Sequence, residues 1–130
     1  MIVDTSAMLA ILFEEPDGQR LDVAIARNPG CLMSAANLLE ASLVLESRKG
    51  WDGVRGLDLL VLRFGIQIVP FTEAQALIAR QAFQRYGKGR HPAQLNFGDC
   101  MAYALAKETG EELLFKGTDF GLTDIAVASY

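Results

Sequence analysis

Three carboxylates stand alone in otherwise uncharged stretches of this sequence. Asp4 is the only charged residue between positions 1 and 13, Glu40 the only one between 28 and 45, and Asp99 the only one between 92 and 106. Segments this apolar are expected to be buried, where an unpaired charge is costly unless its pKa shifts until it is neutral. The three acids therefore need a common explanation.

A shared metal ion provides such an explanation. Carboxylates held close together repel one another unless a proton or a cation lies between them. Ligand sets made only of oxygen select hard ions such as Mg²⁺ or Mn²⁺, and Mg²⁺ also binds phosphate oxygens readily. An acidic pocket of this kind suits hydrolysis of a phosphodiester by a metal-activated water. Asp119, in a predicted loop after a late strand, is a fourth candidate for the group.

Each acid also has a structural interpretation. Asp4 precedes a predicted helix and can cap it, Asp99 stands at another helix start, and Asp119 can be an ordinary turn residue. Glu40 is harder to explain in this way, because it falls in mid-helix with no Lys or Arg three or four positions on. Helical spacing places it on one stripe with Leu43 and Val44, and we expect this apolar face to pack on a sheet.

The elements that would position these acids alternate between strands and helices. Strands are predicted at 1–3, 31–33, 66–69 and 113–115, with a further candidate at 125–128. Helices are predicted at about 5–13, 15–27, 34–49, 51–64, 72–86 and 98–109, with Gly50 ending the third. The alternation predicts an α/β domain, a single one over residues 1–130, with a central twisted parallel sheet covered by helices on both faces. Such sheets bind ligands at the carboxyl ends of their strands, and Asp4 ends the first strand.

Composition places few further limits on function. The chain has 130 residues, 51% of them hydrophobic, and no apolar run long enough to span a membrane. Cys31 and Cys100 are too few for a disulfide framework, so a reducing cytoplasm is the expected location. The net charge of -4 argues against a nucleic-acid partner only if the acids are spread evenly, because a divalent ion would offset a clustered group.

Four segments together resemble a known family. They are Met1–Ala7, Asn37–Ala41, the stretch from Tyr86 to Cys100, and Leu114–Phe120 with Thr123–Ile125. In this order and spacing, over essentially the whole chain, they are similar to VapC toxins, the PIN-domain ribonucleases of VapBC toxin-antitoxin systems. The resemblance implies a PIN-like three-layer sandwich and a metal-dependent endoribonuclease that uses Mg²⁺, or Mn²⁺ in its place.

The resemblance also implies roles for the acids. Asp4 and Asp99 would bind the metal, Glu40 would help to hold the metal or its water, and Asp119 would complete the catalytic group. The sequence departs from some relatives at one point, where Thr118 stands beside Asp119 in place of an acidic or amide residue.

Several residues are candidates for binding RNA. Ser6 could donate to a phosphate, and Arg85, Lys88 and Arg90 precede Asp99 in a position to contact the backbone of the substrate. The competing interpretation of the three cations is a solvated loop. His91 is not assigned a catalytic role.

The expected partners follow from the resemblance and from one unusually apolar helix. VapC toxins are usually homodimers inhibited by a VapB-type antitoxin. The predicted helix that ends near position 64 has more apolar surface than one side needs, with Leu57, Leu59, Leu60, Val61, Leu62 and Phe64. Such a helix can bury one face and offer the other to a second chain.

Three other classes of protein are alternatives. A haloacid-dehalogenase-type phosphatase needs a second Asp two positions after the first, where Ser6 stands. A receiver domain needs paired acids near its N-terminus, and Asp4 has no acidic neighbour. The third alternative is a degenerate domain that only binds RNA or a protein, against which the retention of four acids speaks.

Overall fold

The computed structural model describes all 130 residues as alternating strands and helices. The strands are β1 (Ile2–Val3), β2 (Leu32–Ser34), β3 (Gln67–Val69) and β4 (Leu113–Leu114). The helices are α1 (Thr5–Leu12), α2 (Gly18–Ala26), α3 (Ala35–Phe64), α4 (Glu73–Tyr86) and α5 (Phe97–Thr109), followed by the 3₁₀ turn η1 (Asp119–Leu122). None of the helices is long and apolar enough to cross a membrane.

The four strands form one parallel sheet in the order β3-β2-β1-β4. Side chains alternate across it, because successive residues of a strand point to opposite faces. Ile2 packs with α4 and α5, whereas Val3 packs with α1, α2 and α3. The sheet is therefore the middle of three layers, which confirms the predicted α/β architecture and places the end of β1 next to the helices on both faces.

The long helix α3 consists of two helices joined at Gly50. This glycine has φ 63° and ψ −157°, a backbone conformation that other residues rarely adopt. The predicted break at this position is confirmed. Glu40 lies in the half of α3 that precedes Gly50, and this half begins directly after β2.

Two predicted boundaries differ from the structure. Helix α2 begins at Gly18 and not at position 15, since Glu14 has a positive φ of 53° and Pro16 lies in the turn that follows. The candidate strand at 125–128 contributes only an isolated bridge between Leu113 and Val127.

Cys31 and Cys100 are buried free thiols.

Candidate active site

Asp4 lies between the end of β1 and the start of α1, and its carboxylate is almost fully buried (2% exposed). Its Oδ2 caps α1 by accepting from Ser6 N at 2.9 Å, and it also accepts from Ser6 Oγ at 2.5 Å. Its Oδ1 is buried with no hydrogen-bond partner. Burial raises the pKa of Asp4 to about 7 against the effect of the Ser6 hydrogen bonds, and the charges of Asp99 and Glu40 raise it further.

Asp99 lies at the N-terminus of α5, where it takes part in a capping box. Its Oδ2 accepts from Asn96 N at 2.9 Å, while Asn96 Oδ1 accepts from Asp99 N. Burial raises the pKa of Asp99 to about 6 despite the bond from Asn96, and the charges of Glu40 and Asp119 add to the rise. The structural interpretation of Asp99 is thus correct, but its capping bond uses only one of the two carboxylate oxygens.

Glu40 is half-buried at the place where α3 crosses the start of α5. Its carboxylate fills the space that a side chain at position 98 would need, so that a Cβ on Gly98 would overlap with it. The predicted stripe was wrong, because Leu43 is 55% exposed and the buried face of this helix instead carries Asn37, Ala41 and Leu45. Glu40 lies at the edge of the buried face, beside Asp99.

Asp119 is exposed and begins η1, in the connection that follows β4. The next residue, Phe120, is buried against Phe115 with ring centroids 4.9 Å apart, which anchors the turn. Asp119 lies close enough to raise the pKa of Asp99. The structure thus brings all four predicted acids close enough for their charges to interact, with Asp4 and Asp99 on the more buried side of the group.

Ser6 is placed to orient Asp4. Its hydroxyl donates to Asp4 Oδ2 and accepts from the backbone N–H of Lys116 at 3.0 Å. These two bonds link the start of α1 to the segment after β4. The predicted contact between Ser6 and substrate would have to be made in addition to them.

The three predicted RNA-binding cations have different surroundings. Arg85 approaches Asp124 at 3.8 Å, in a cluster with Lys107. Arg90 stacks over the ring of Phe83 at 5.1 Å. Lys88 is exposed and makes no ion pair. Of the three, Lys88 and Arg90 belong to the connection between α4 and α5, and Arg85 is in the last turn of α4.

His91 in the same connection has a structural role. Its Nδ1 accepts from Ala93 N at 3.1 Å, and its ring meets that of Tyr86 edge-on at 5.0 Å. Both contacts stabilise the turn that leads into α5.

Asn37, which begins one of the four segments that carry the resemblance, has a role next to the acids that its sequence context did not predict. It is completely buried, and its Nδ2 donates to Thr5 Oγ1 and to the backbone oxygen of Gly98. The available signal was weak: Asn37 is the one amide side chain in an apolar stretch, a turn before Glu40. Its partners are 32 and 61 residues away, and no local pattern identifies them.

The donor set fits a hard divalent cation. Asp4 Oδ1 is a buried oxygen with no hydrogen-bond partner, and the pKa values of Asp4 and Asp99 are raised by burial first and by the charges of the neighbouring acids second. No group of three Asp, Glu, His or Cys side chains is already arranged to coordinate one metal ion. Mg²⁺ does not require such a group, because it keeps several waters and binds through one or two carboxylates.

Comparison with known proteins gives one consistent family. Residues 1–126 match the PIN domain family. The chain is 52% identical to ribonuclease VapC of Mycolicibacterium smegmatis over 97% of its length and 98% of that protein. It is 49% identical to ribonuclease VapC30 of Mycobacterium tuberculosis, over 99% of its length and 98% of the relative.

Solved structures agree on the fold. Mycobacterium tuberculosis VapC20, a Sarcin-Ricin loop cleaving toxin, superposes with a TM-score of 0.76 at 19% identity over 92% of each chain. A toxin-antitoxin complex from Klebsiella pneumoniae gives 0.70 at 20% identity, over 99% of this chain and 97% of that one. Identity of about half over nearly the full length, together with this fold, shows that the chain belongs to the PIN-domain family as a VapC ribonuclease, the toxin of a VapBC toxin-antitoxin system.

Proposed function

We propose that this ribonuclease hydrolyses RNA phosphodiester bonds at the acidic group Asp4, Glu40, Asp99 and Asp119, with Mg²⁺, or Mn²⁺ in its place, held by Asp4 and Asp99. The observation that carries the proposal is the Asp4 carboxylate, which is buried with one oxygen unpartnered and two further carboxylates close by. In its ionised form, a buried carboxylate with a free oxygen and acidic neighbours lowers stability unless a cation completes it.

The four acids differ in what they contribute. Asp4 is fixed by Ser6 and by its place at the end of β1, so its free oxygen has a defined position. Asp99 is fixed by the capping box and offers its second oxygen. The bound ion would supply a water of lowered pKa and would offset the charge of the phosphate. Glu40, which is half-buried, and Asp119, which is exposed, would accept a proton from that water or orient it.

Removal of the metal tests this proposal directly. After exhaustive dialysis against EDTA, cleavage of a purified RNA should stop, and Mg²⁺ or Mn²⁺ should restore it. Ca²⁺ should bind but support cleavage poorly, because its looser coordination positions a water less well. The chromatographic behaviour of the EDTA-treated protein serves as the control for folding. Full activity in EDTA would remove the metal from the mechanism.

We propose single-stranded RNA as the substrate, with Lys88, Arg90 and Arg85 contacting phosphates and Ser6 close to the reacting one. The support is the position of the three cations, in the last turn of α4 and in the connection that leads to Asp99. Phosphate contacts of this kind strengthen binding to every sequence alike and position the strand for the acids.

We further propose a homodimer and a VapB-type antitoxin as the protein partners, with the 130 residues acting as one PIN domain in the cytoplasm. An antitoxin that places an Arg or Lys beside Asp4, Glu40 and Asp99 would offset the same charge that the metal offsets. Inhibition would then need no change in the fold of the toxin. The similarity to a structure of a toxin-antitoxin complex supports a partner of this kind.

A further inference from the structure

One buried amide connects α1, α3 and α5, the helices at which Asp4, Glu40 and Asp99 lie. Asn37 Nδ2 donates to Thr5 Oγ1 at 3.2 Å, in the first turn of α1, and to Gly98 O at 3.1 Å, in the first turn of α5. Thr5 Oγ1 donates back to the backbone oxygen of Asn37 at 3.2 Å. Three helices that are far apart in sequence are therefore tied together at their N-terminal ends.

Each residue in this connection is close to a candidate ligand along the chain. Thr5 follows Asp4, and Gly98 precedes Asp99. Asn37 itself lies one turn before Glu40. The Glu40 carboxylate packs against Gly98, in the space that the side chain of any larger residue would occupy. A shift of α5 relative to α1 would thus change the distance between the Asp4 and Asp99 carboxylates even though neither acid is substituted.

We propose that Asn37 is a positioning residue for the metal site, whose amide fixes the start of α5 against the start of α1 and so sets the spacing of the Asp4 and Asp99 carboxylates. The inference rests on the proposed function, since it requires that these two acids bind the metal. Asn37 does not touch the reacting atoms. It acts through Thr5 and Gly98, in the way that outer residues orient metal ligands elsewhere.

Loss of an amide that only stabilises the fold should not change metal binding, and the chain contains such an amide for comparison. Gln75 is buried like Asn37, and neither Gln75 Oε1 nor Asn37 Oδ1 has a hydrogen-bond partner. Gln75 Nε2 donates to Glu108 at 2.6 Å and so joins α4 to the far end of α5. Loss of either amide removes a hydrogen bond made by a buried side chain, but only the Asn37 bonds reach the residues next to Asp4 and Asp99.

The experiment compares Mn²⁺ binding by Asn37→Leu and Gln75→Met, two substitutions that remove an amide and leave an apolar side chain of similar length. Each full-length protein is titrated with Mn²⁺ near neutral pH by calorimetry, and its unfolding in urea is measured in EDTA. Asn37→Leu should raise the Kd for Mn²⁺ roughly tenfold or more. Gln75→Met should leave that Kd unchanged even where it lowers stability as much.

A second pair of variants covers the case in which Asn37→Leu does not fold. Thr5→Val removes the hydroxyl that bonds Asn37 and keeps the shape, whereas Thr5→Ser keeps the hydroxyl. Binding of Mn²⁺ should be weaker in Thr5→Val than in Thr5→Ser.

The outcomes separate the inference from the proposed function. If the wild type binds Mn²⁺ and Asn37→Leu, or Thr5→Val, binds it equally well, the positioning role is wrong while the metal site stands. If the wild type itself does not bind Mn²⁺, the proposed metal site fails, and the role of Asn37 fails with it.

Discussion

The Asp4 carboxylate has an environment in which a proton and a metal ion compete for the same oxygen. Oδ1 has no donor, and burial raises the pKa of the group to about 7. Metal binding requires the ionised form, so a proton on Asp4 opposes it. Affinity for Mg²⁺ or Mn²⁺ should therefore fall as the pH is lowered through the neutral range, more steeply than for an exposed aspartate.

The same group gives the metal-free protein an unusual dependence of stability on pH. Asp4 has a pKa of about 7 in the fold and 3.8 as its ordinary value, so the folded state binds the proton more tightly. Its stabilising contribution is present below about pH 4 and is lost as the pH rises through 7. In EDTA, Asp4→Asn should raise the free energy of unfolding near pH 8, by at most about 4 kcal/mol, and have little effect near pH 4.

Urea unfolding of both proteins at the two pH values measures this difference, and the matched control is Asp58→Asn. Asp58 is exposed on α3 and makes no ion pair, so its substitution should have almost no effect at either pH. Addition of Mg²⁺ near pH 8 should stabilise the wild type but not Asp4→Asn. If the free energy of unfolding changed equally between pH 4 and pH 8 in the wild type and in Asp4→Asn, the raised pKa of Asp4 would be contradicted.

At the level of elements, the site depends on how closely α3 approaches α5. Glu40 occupies the space beside Gly98, and the atom that a new Cβ would meet is the end of a flexible side chain. Gly98→Ala should therefore leave the fold intact and displace the Glu40 carboxylate from its place beside Asp99. We expect kcat/KM for RNA to fall roughly tenfold or more, as for other losses of groups that orient ligands.

Gly56→Ala is the matched control for this substitution. Gly56 lies in the second half of α3, and a Cβ there would meet only Leu12 Cδ2 at 3.4 Å, an ordinary contact. Alanine in a helix interior is more favourable than glycine by roughly 0.5 to 1 kcal/mol. Gly56→Ala should be active and as stable as the wild type or more so. Wild-type kinetics in Gly98→Ala would show that Glu40 does not need its present position.

The connection between α4 and α5 carries the prediction about RNA binding. Lys88 is free of ion pairs, and Arg90 has its guanidinium over an aromatic ring and no acidic partner. Replacing both with Ala should flatten the slope of log affinity against log salt concentration by about 0.7 for each lost contact on single-stranded RNA.

The control for this pair removes two cations elsewhere. Arg20 and Arg63, in α2 and at the end of α3, pair with Asp17 and Asp22. Their replacement with Ala changes the net charge equally and should leave the salt slope unchanged. An equal slope in both double variants would assign Lys88 and Arg90 to a solvated loop.

Local patterns in the sequence predicted the order of elements but not how their ends meet. The alternation of strands and helices and the break at Gly50 follow from periodicity and glycine chemistry, which a few neighbouring residues determine. The face of α3 that carries Glu40 was predicted incorrectly, because the residues around Glu40 are nearly all apolar and periodicity then does not fix which face is buried. The contacts of Asn37 with Thr5 and Gly98 are long-range, and no local pattern specifies them.

For the molecule as a whole, the net charge of -4 conceals an uneven distribution. Four acids gather at the carboxyl end of β1 and the start of α5, while Lys88 and Arg90 lie in the connection just before them. The proximity of these acids could be predicted, because isolated acids in apolar segments need a common explanation. A cation in the pocket reduces the repulsion that a phosphate would otherwise meet, so an acidic protein can act on RNA.

The second half of α3 is where we expect two copies of the chain to associate. Of its predicted apolar residues, Leu57 and Leu60 are buried, whereas Leu59 and Leu62 are 65% and 77% exposed. Trp51, on the same half of the helix, is 74% exposed. Large apolar side chains left in water on one element usually mark an interface.

We therefore predict that the wild type is a dimer at micromolar concentration and that Leu59→Glu with Leu62→Glu makes it monomeric, measured by gel filtration with light scattering. Two glutamates at a buried interface would have to lose their hydration without partners. The control is Val23→Glu with Leu77→Glu, which adds the same charge at exposed apolar positions on α2 and α4 and should leave the dimer intact. A monomeric wild type would contradict the dimer, and dissociation by the control pair alone would place the interface on another surface.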